Sequence, residues 1–402
     1  MYDLAAFGAW IEFAVRWLHV ITAIAWIGSS FYFIALDLGL HRDRNLKSGA
    51  DGEEWQVHGG GFYHIQKYLV APTDMPDGLI WHKWQSYWTW ISGFVLLVLV
   101  YYLGAEFYLI DPGVMDLTTV QAVGISLASL IFGWLVYTQL CKLFVDADQT
   151  VLMIALFAVL IAMAWFYTQV FTGRAALLHL GAFTATIMSG NVFFVIIPNQ
   201  KIVVDDLMNG RTPDAKYGKI AKQRSTHNNY LTLPVIFLML SNHYPLAFAS
   251  EWNWVIASLV FLMGVTIRHW FNTHHARKGN PHWTWGVTAL LFIAIVWLST
   301  APTAQREASV VTRFATADGF SEVHEIVQGR CSMCHAAEPV WAGLLWAPRN
   351  VRLETEADLT RNARAVYLQS GISHAMPPAN LSYMEEDERA AIVAWYRAAT
   401  GG

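Results

Sequence analysis

The residue run best suited to chemistry is Cys331-Ser332-Met333-Cys334-His335, which has the C-x-x-C-H pattern. Thiols at this spacing add to the vinyl groups of a haem as thioethers, and the imidazole that follows reaches the iron from the same porphyrin face. His335 is therefore the predicted axial ligand of a covalent haem c. A redox-active C-x-x-C pair is the alternative, and the histidine after the second cysteine favours haem. Cys141 stands alone in an apolar run, which indicates an inert packing residue.

A sixth iron ligand is expected well downstream of His335. Met376, in the run Ala375-Met376-Pro377-Pro378, is the best candidate. A thioether ligand raises the reduction potential relative to a second imidazole, which suits an electron acceptor. His374 as the ligand, or Met376 as a packing residue only, is the alternative. The carbonyl of Pro348 is predicted to accept a hydrogen bond from the His335 ring.

Amphipathic patterns predict helices at 319–330 and 385–398 on either side of this motif. Phe320, Trp395 and Tyr396 are placed to pack across the two helices. Residues 319–402 therefore resemble a small class I cytochrome c.

The remainder of the chain has a composition typical of a membrane protein. Hydrophobic residues make up 55% of the 402 residues and charged residues 14%, against roughly 25% charged in soluble domains. Many of the 19 tryptophans lie at the ends of apolar runs, as expected of interfacial anchors. The sequence contains no basic tract of the kind that would indicate a nucleic-acid partner. Eight stretches are apolar enough to cross a bilayer, about 10–38, 80–103, 117–141, 150–172, 174–198, 227–249, 253–271 and 283–302.

Lysine and arginine in the connections predict the orientation. The loops 39–79, 199–226 and 272–282 are basic, whereas 104–116 and 250–252 contain no lysine or arginine. The basic loops are therefore predicted to be cytoplasmic, which places both chain ends in the periplasm. Bacterial c-type haem is attached in that compartment, so the charge pattern and the C-x-x-C-H motif agree.

These patterns predict an all-α chain in a bacterial inner membrane. The domains would be a polytopic helix bundle at 1–302, a linker at 303–318 and a periplasmic class I-like cytochrome c domain at 319–402. The first residues lack a small-residue cleavage site, so the first span is predicted to be retained.

Ionisable residues inside predicted spans are candidates for function. His19 and His179 fall roughly 8–14 Å from the periplasmic surface at 1.5 Å per residue, a common level from which two imidazoles could bind a b-type haem. Arg16 and Arg174 would suit its propionates, and His243, at a similar depth, could replace either ligand. The alternative is that each histidine hydrogen-bonds a neighbouring helix while the arginines extend to the interface.

A second polar group is predicted at the cytoplasmic ends of the spans, where it suits a planar, polar, anionic ligand. Its members are His82 and Lys83, Asn199 and Gln200, His227, Asn228 and Asn229, and Arg268 and His269, with Trp81 and Trp84 nearby. The alternatives are an ordinary belt of polar helix ends, or a second haem or metal held by His227 and His269. The loop 55–78 is predicted to cap this site.

Four sequence strings and their order resemble a known family. The first span contains Arg16-Trp17-Leu18-His19-Val20 with Trp26-Ile27-Gly28, and the sixth contains the strings His227-Asn228-Asn229-Tyr230-Leu231-Thr232-Leu233-Pro234 and Ser241-Asn242-His243-Tyr244-Pro245. With the C-terminal C-x-x-C-H domain, these strings make the chain similar, over essentially its whole length, to the bacterial integral-membrane urate oxidases fused to cytochrome c.

The resemblance implies oxidation of urate to 5-hydroxyisourate, with electrons passed to the fused haem c and not directly to oxygen. A soluble cytochrome c or a terminal oxidase would be the downstream acceptor. Urate would bind against Arg268 or Lys83, and His82, His227 or His269 would act as general base. The rival functions are a quinol-linked cytochrome b/c electron-transfer subunit without urate chemistry and a transporter with a redox appendage.

Overall fold

The computed structural model describes residues 4–43, 45–68, 78–144, 148–300 and 311–400. It divides into two compact units, Met1–Thr300 and Ala301–Gly402. Part of the predicted linker, Arg44 of the first basic loop and part of the predicted capping loop lie outside the described residues.

The first unit consists mainly of long helices. In chain order they are α1 Leu4–Gly39, α2 Trp84–Leu96, α3 Ala105–Tyr108, α4 Thr119–Leu143, α5 Gln149–Val170, α6 Gly173–Gly190, α7 Ile197–Met208, α8 Ala215–Ser241, α9 Pro245–Phe248, α10 Asn253–His275 and α11 Trp283–Thr300. Two π-helical segments, Leu97–Tyr102 after α2 and Asn191–Ile196 between α6 and α7, interrupt this pattern.

Six helical stretches among the described residues are long and apolar enough to cross a membrane, which fits a membrane protein. They are Phe7–Gly39, Thr119–Leu143, Gln149–Val170, Gly173–Met208, Asn253–His275 and Trp283–Thr300. The other two predicted spans, 80–103 and 227–249, form helices that are outside this set. Helix α8 ends at Ser241, before the predicted end of its span, and begins at Ala215. The predicted loop 199–226 is consequently wrong, because α7 and the first turns of α8 fill most of it.

The segment after α1 corrects the all-α prediction. Strands β1 Ala50–His58 and β2 Gly61–Tyr68 form an antiparallel hairpin. Gly59 and Gly60 form its two-residue turn with φ of 59° and 79°, a conformation that glycine adopts without steric cost. The Trp55 and His64 rings stack across the strands at 4.1 Å. Cross-strand contacts of this kind stabilise a hairpin.

Helix α6 lies at the centre of the bundle, in contact with α4, α5 and α8. Small residues allow this close packing. A Cβ added at Gly133 of α4 would lie 2.3 Å from the Phe183 ring of α6, and one at Gly264 of α10 would lie 2.5 Å from Pro234 of α8. Glycine at these positions therefore lets the helix backbones approach.

The second unit is a small helical domain with its own core. Its helices are Phe320–Arg330, Ser332–His335, Glu356–Arg361, Ala363–Val366 and Glu386–Thr400, with 3-10 turns Pro348–Asn350 and Pro378–Asn380 and a π-helical segment Tyr367–Ile372. Both helices predicted beside the cysteine motif are present. The Phe320 and Trp395 rings pack at 6.2 Å, and Tyr396 stacks on Tyr367 at 4.2 Å.

Candidate functional site

A buried hydrogen-bonded group, which we call the tyrosine cluster, connects α8 with α4 and the π-helical segment. It comprises Tyr137, Asn191, Arg224, His227 and Asn228. Tyr137 Oη lies 2.8 Å from His227 Nδ1, and Asn191 Nδ2 donates to Tyr137 Oη at 3.0 Å and to Asn228 Oδ1 at 2.9 Å. The Arg224 guanidinium lies 4.7 Å from the centre of the Tyr137 ring.

Helical spacing explains how α8 contributes three side chains to this cluster. Residues 224, 227 and 228 are three and four positions apart, so they share one face of the helix. Asn191 begins the π-helical segment, and such irregular turns are frequent at functional sites. From this position Asn191 hydrogen-bonds with Tyr137 of α4 and Asn228 of α8 together.

A second group, the arginine cluster, lies on another side of α8 and comprises Asn229, Arg268 and Asn272. Asn229 Oδ1 accepts hydrogen bonds from Arg268 Nε at 3.2 Å and from Asn272 Nδ2 at 3.0 Å. Arg268 Nη2 donates to Asn272 Oδ1 at 2.9 Å. Phe31 of α1 packs under the guanidinium, 4.2 Å from it.

Both clusters contain a buried arginine without a carboxylate partner. Arg224 and Arg268 are each 5% exposed, and neither forms an ion pair within the described parts of the chain. Three polar atoms of the two clusters are buried without a hydrogen-bond partner, namely Arg224 Nε, His227 Nε2 and Asn229 Nδ2. Buried polar atoms are nearly always hydrogen-bonded in folded proteins. These orphan atoms and uncompensated charges are therefore suited to a polar, anionic ligand.

A polar cavity lies further along α10, about two helical turns from Arg268. This cavity, which we call the hairpin cavity, has a volume of about 360 Å³. Its lining comes from the ends of α1 and α10 and from β1: Tyr32, Ala35, Leu36, Gly39, Glu54, Gln56, His274, His275 and Arg277. Residues 268, 272 and 275 are spaced to share one face of α10. His275 Nδ1 and Glu54 Oε2 are further buried atoms without a hydrogen-bond partner.

The hairpin closes one side of this cavity through its first strand. Glu54 lies 3.8 Å from Arg277 in an ion pair, and Gln56 accepts a hydrogen bond of 2.8 Å from Tyr32 Oη. The sequence predicted that loop 55–78 caps a polar site, and β1 contributes Glu54 and Gln56 to the cavity wall. Residues 69–77 of that loop lie outside the described residues.

The predicted cytoplasmic site residues are only partly brought together. Arg268 and His227 belong to different clusters. Exposed His82 packs against Phe33 at 4.8 Å, exposed His269 lies 6.1 Å from Trp283, and Lys83 lies over the Trp84 ring at 5.3 Å.

His275 and Glu54 are among the lining residues of the hairpin cavity that were missed from the sequence. The spacing of Arg268, Asn272 and His275 in the run RHWFNTHH was a usable signal for His275. No comparable signal marked Glu54, because its position depends on the fold of the hairpin.

His179, a predicted haem ligand, is completely buried and fully hydrogen-bonded. Its Nδ1 lies 2.8 Å from Ala175 O, and its Nε2 lies 2.8 Å from Ser126 Oγ. Phe171 packs on the same ring at 4.7 Å. Both ring nitrogens are thus engaged by protein groups, which matches the alternative of a packed, hydrogen-bonded histidine.

His19 lines a separate cavity, the histidine cavity, near the other end of the bundle. Its volume is about 250 Å³ and its walls are mainly apolar. Arg16, Arg174 and His243 also line it. His19 and Phe31 are 12 residues apart on α1, so this cavity and the arginine cluster are separated by about 18 Å along the helices.

The C-x-x-C-H motif follows the helix Phe320–Arg330 directly. His335 Nδ1 lies 2.8 Å from Val351 O, which is the carbonyl partner of the ring. The predicted partner, Pro348, is wrong, because its carbonyl accepts from Val351 N–H at 3.1 Å in a tight turn. A ring that donates from Nδ1 presents Nε2 to an iron atom.

The surroundings of the two cysteines also fit haem attachment better than dithiol chemistry. Burial raises the pKa of the Cys331 thiol to about 12, whereas redox-active C-x-x-C pairs have lowered thiol pKa values. The segment after His335 exposes Val340, Leu345 and Trp346 to solvent, apolar surface that a haem would cover.

Met376 is held in place by its backbone. Its N–H donates to Gln369 O at 2.9 Å, and its carbonyl accepts from buried Arg389 Nη1 at 3.0 Å. The alternative ligand His374 is exposed and lies 3.9 Å from Glu386. Met376 is half-buried, in contrast to exposed His374.

The chain matches a protein-family model. The model of the family described as "Urate oxidase N-terminal" matches residues 5–299, nearly all of the membrane-type unit. No curated protein and no solved structure matches the chain.

Proposed function

This chain belongs to the urate oxidase N-terminal family, whose model covers residues 5–299, and we propose that it oxidises urate to 5-hydroxyisourate in the hairpin cavity. The family membership supports a urate-related oxidoreductase. The location of the site and the destination of the electrons are our proposals.

The observation that carries the site assignment is the environment of Arg268. A guanidinium buried without a carboxylate is costly, because desolvation penalises the charge and no partner offsets it. Urate is a planar monoanion at neutral pH, and it would supply the missing negative charge. Asn229 Nδ2, which has no partner in the structure, would donate to a urate carbonyl oxygen.

The hairpin cavity, whose lining residue His275 lies about two helical turns from Arg268 along α10, suits a purine in size and polarity. Its volume of about 360 Å³ lies in the range of roughly 300–1,000 Å³ typical of small-molecule sites. Gln56 and Glu54 supply an amide and a carboxylate that match the alternating N–H and C=O groups of urate, and Tyr32 offers an aromatic face.

His275 is the proposed general base. The reaction adds water at C5 and releases two electrons and two protons: urate + H2O gives 5-hydroxyisourate + 2 H⁺ + 2 e⁻. The buried Nδ1 of His275 faces no protein partner, so this atom is available to take the first proton from urate or from the attacking water. The second proton leaves to solvent through the open side of the cavity.

The C-terminal domain is the proposed electron acceptor. Cys331 and Cys334 would hold a haem c through thioethers, with His335 and Met376 as iron ligands, and the bound group would accept one electron at a time. The hydrogen bond from His335 Nδ1 to Val351 O would orient the imidazole, and Arg389 would keep the Met376 backbone in position. A downstream cytochrome c or terminal oxidase would then reoxidise the domain.

The direct test is reduction of the protein by its substrate without oxygen. Full-length protein, purified in detergent with its haem attached, is mixed anaerobically with urate, and the reduced c-type absorption band is recorded. We expect urate to reduce the haem and 5-hydroxyisourate to form. Xanthine, which lacks the C8 carbonyl of urate, is the matched control compound and should give no reduction.

The two rival functions give different results in the same assay. A quinol-linked electron-transfer subunit would be reduced by a quinol analogue and not by urate. A transporter would move urate into sealed vesicles without any change in the haem spectrum. Either result, with haem c present at one per chain, would contradict the proposal.

A further inference from the structure

The histidine cavity combines features that the proposed urate chemistry does not use. His19 and His243 line it together with Arg16 and Arg174, and no carboxylate occurs among its described lining residues. We propose that this cavity binds one non-covalent b-type haem, with His19 and His243 as axial ligands. The inference rests on the proposed function, because a one-electron carrier here would accept electrons released from urate, but haem binding is testable on its own.

His19 is oriented for a metal ligand. Its Nδ1 lies 3.0 Å from the carbonyl oxygen of Thr89 and 3.2 Å from Ser92 Oγ. Because a carbonyl oxygen can only accept, Nδ1 carries the proton and Nε2 keeps its lone pair. Metal-bound histidines almost always have such a partner on the other nitrogen, which fixes the tautomer and the ring orientation.

Gly93 of α2 fits this position of the His19 ring. A Cβ added at Gly93 would lie only 2.8 Å from His19 Cε1. Any larger residue would therefore push the imidazole out of its present place. Glycine at this point allows the ring to approach α2 and reach its hydrogen-bond partners.

Three buried polar atoms without hydrogen-bond partners belong to residues that line the same cavity. They are Arg174 Nε, Ser189 Oγ and Asn242 Oδ1. Buried polar atoms of this kind indicate a group that completes the site. Haem carries two propionates, and Arg174 is placed to bind one of them. Arg16 pairs with Glu12 one turn earlier on α1 and keeps further guanidinium donors for the other.

The rest of the lining is apolar and suits the faces of a tetrapyrrole. It includes Trp26, Phe94, Leu97, Leu130, Leu178 and Met239. The cavity of about 250 Å³ is half open, so a planar macrocycle can extend one edge beyond it. A quinone head group would also fit apolar walls, but a neutral ligand would supply no counter-charge for Arg174, whose buried Nε has no hydrogen-bond partner.

His243 and not His179 is the proposed second ligand because only His243 lines this cavity. His179 is buried between Ala175 O and Ser126 Oγ and is not among the lining residues. His243 lies in the turn after α8. The two proposed ligands therefore come from α1 and from the end of α8.

The test measures haem content in protein that has never been given urate. Full-length protein is incubated with haemin, purified, and extracted with acidic acetone, which removes non-covalent haem and leaves haem c attached. Pyridine haemochrome spectra then quantify the two types. We expect one b-type haem per c-type haem in the wild type, and at least a tenfold loss of the b-type haem in both His19→Ala and His243→Ala.

Matched variants separate ligation from misfolding. His269→Ala, at an exposed histidine, should keep the full b-type content, and covalent haem c should stay at one per chain in every variant. His243→Met should retain haem and raise its reduction potential, because a thioether ligand favours the reduced iron. Gly93→Ala should lower b-type content or shift its potential by displacing His19.

Three outcomes would overturn the haem b proposal: no extractable haem in the wild type, full retention in both alanine variants, or extraction of a quinone with no haem. Since urate is absent throughout, each would leave urate oxidation untouched. Conversely, an intact b-type haem with no urate-dependent reduction would contradict the proposed function and leave this site standing.

Discussion

Replacement of Arg268 by methionine should separate ligand binding from stability. Methionine keeps the approximate length of the side chain and removes the charge and both hydrogen bonds to Asn229 and Asn272. A hydrogen bond to a charged group contributes about 1.5–3 kcal/mol. Loss of one such bond to urate would raise the dissociation constant roughly 10- to 150-fold, at 1.4 kcal/mol per factor of ten.

The stability of the unliganded protein, in contrast to its urate affinity, should not fall in Arg268→Met. Burial of an unpaired guanidinium costs several kcal/mol, whereas its contacts with Phe31 at 4.2 Å and Phe271 at 5.8 Å return about 0.5–2 kcal/mol each. The desolvation cost is thus at least as large as the cation–π stabilisation. Arg268→Met should leave the thermal midpoint without urate unchanged or higher, while the stabilisation that urate gives to the wild type disappears.

Thermal unfolding in detergent with and without urate, together with isothermal titration, measures both quantities. Arg268→Lys keeps the charge and should recover part of the affinity. Arg224→Met is the matched control, since Arg224 is equally buried but belongs to the tyrosine cluster. If Arg224→Met abolished urate binding and Arg268→Met did not, the site would lie in the tyrosine cluster and our assignment would be wrong.

Three further substitutions test other parts of the structure. His275→Gln should lower kcat for urate by about 10²- to 10⁴-fold, the usual contribution of a general base, with little change in KM. His282→Gln, on the following loop, should leave kcat unchanged. A loss of kcat that is matched by a loss of stability would indicate a structural role for His275. Met376→Ala should lower the haem c reduction potential in redox titration, because the thioether ligand is lost, and His374→Ala should leave the potential unchanged. A changed potential in His374→Ala with none in Met376→Ala would make His374 the ligand. Gly133→Ala, whose Cβ would lie 2.3 Å from Phe183, should destabilise the bundle by about 1–3 kcal/mol. Gly124→Ala on the same helix has open space around it and should not lower stability. Equal thermal midpoints for the two variants would show that the α4–α6 contact is not tight.

The long helices were predictable because an apolar run of membrane length has few other solutions. The hairpin at 50–68 was missed because its charged and aromatic residues resemble a polar loop, although Gly59-Gly60 is a turn signal. Helix α8 was misplaced for a related reason. Its first turns are basic, so a search for apolar runs began the segment at His227 and carried it past Ser241 to 249.

The site was harder to predict than the fold because depth alone does not determine which way a side chain faces. His19, His179 and His243 were placed at one level from the sequence, yet His179 faces Ser126 while the other two line a cavity. Arg268 and His269 are adjacent in sequence but about 100° apart around α10, so Arg268 is buried and His269 is exposed. The predicted hydrogen-bond partner of His335, Pro348, was likewise three residues from the observed partner, Val351. The two residues belong to one tight turn, which the sequence alone does not resolve.

The claim on which the account depends is that electrons from urate leave through the fused haem domain and not through oxygen. The decisive measurement is an electron count in air, with urate, the full-length protein and a one-electron acceptor such as ferricyanide. The account predicts two acceptor molecules reduced per urate consumed and no hydrogen peroxide. One peroxide per urate, with the haem oxidised throughout, would contradict it.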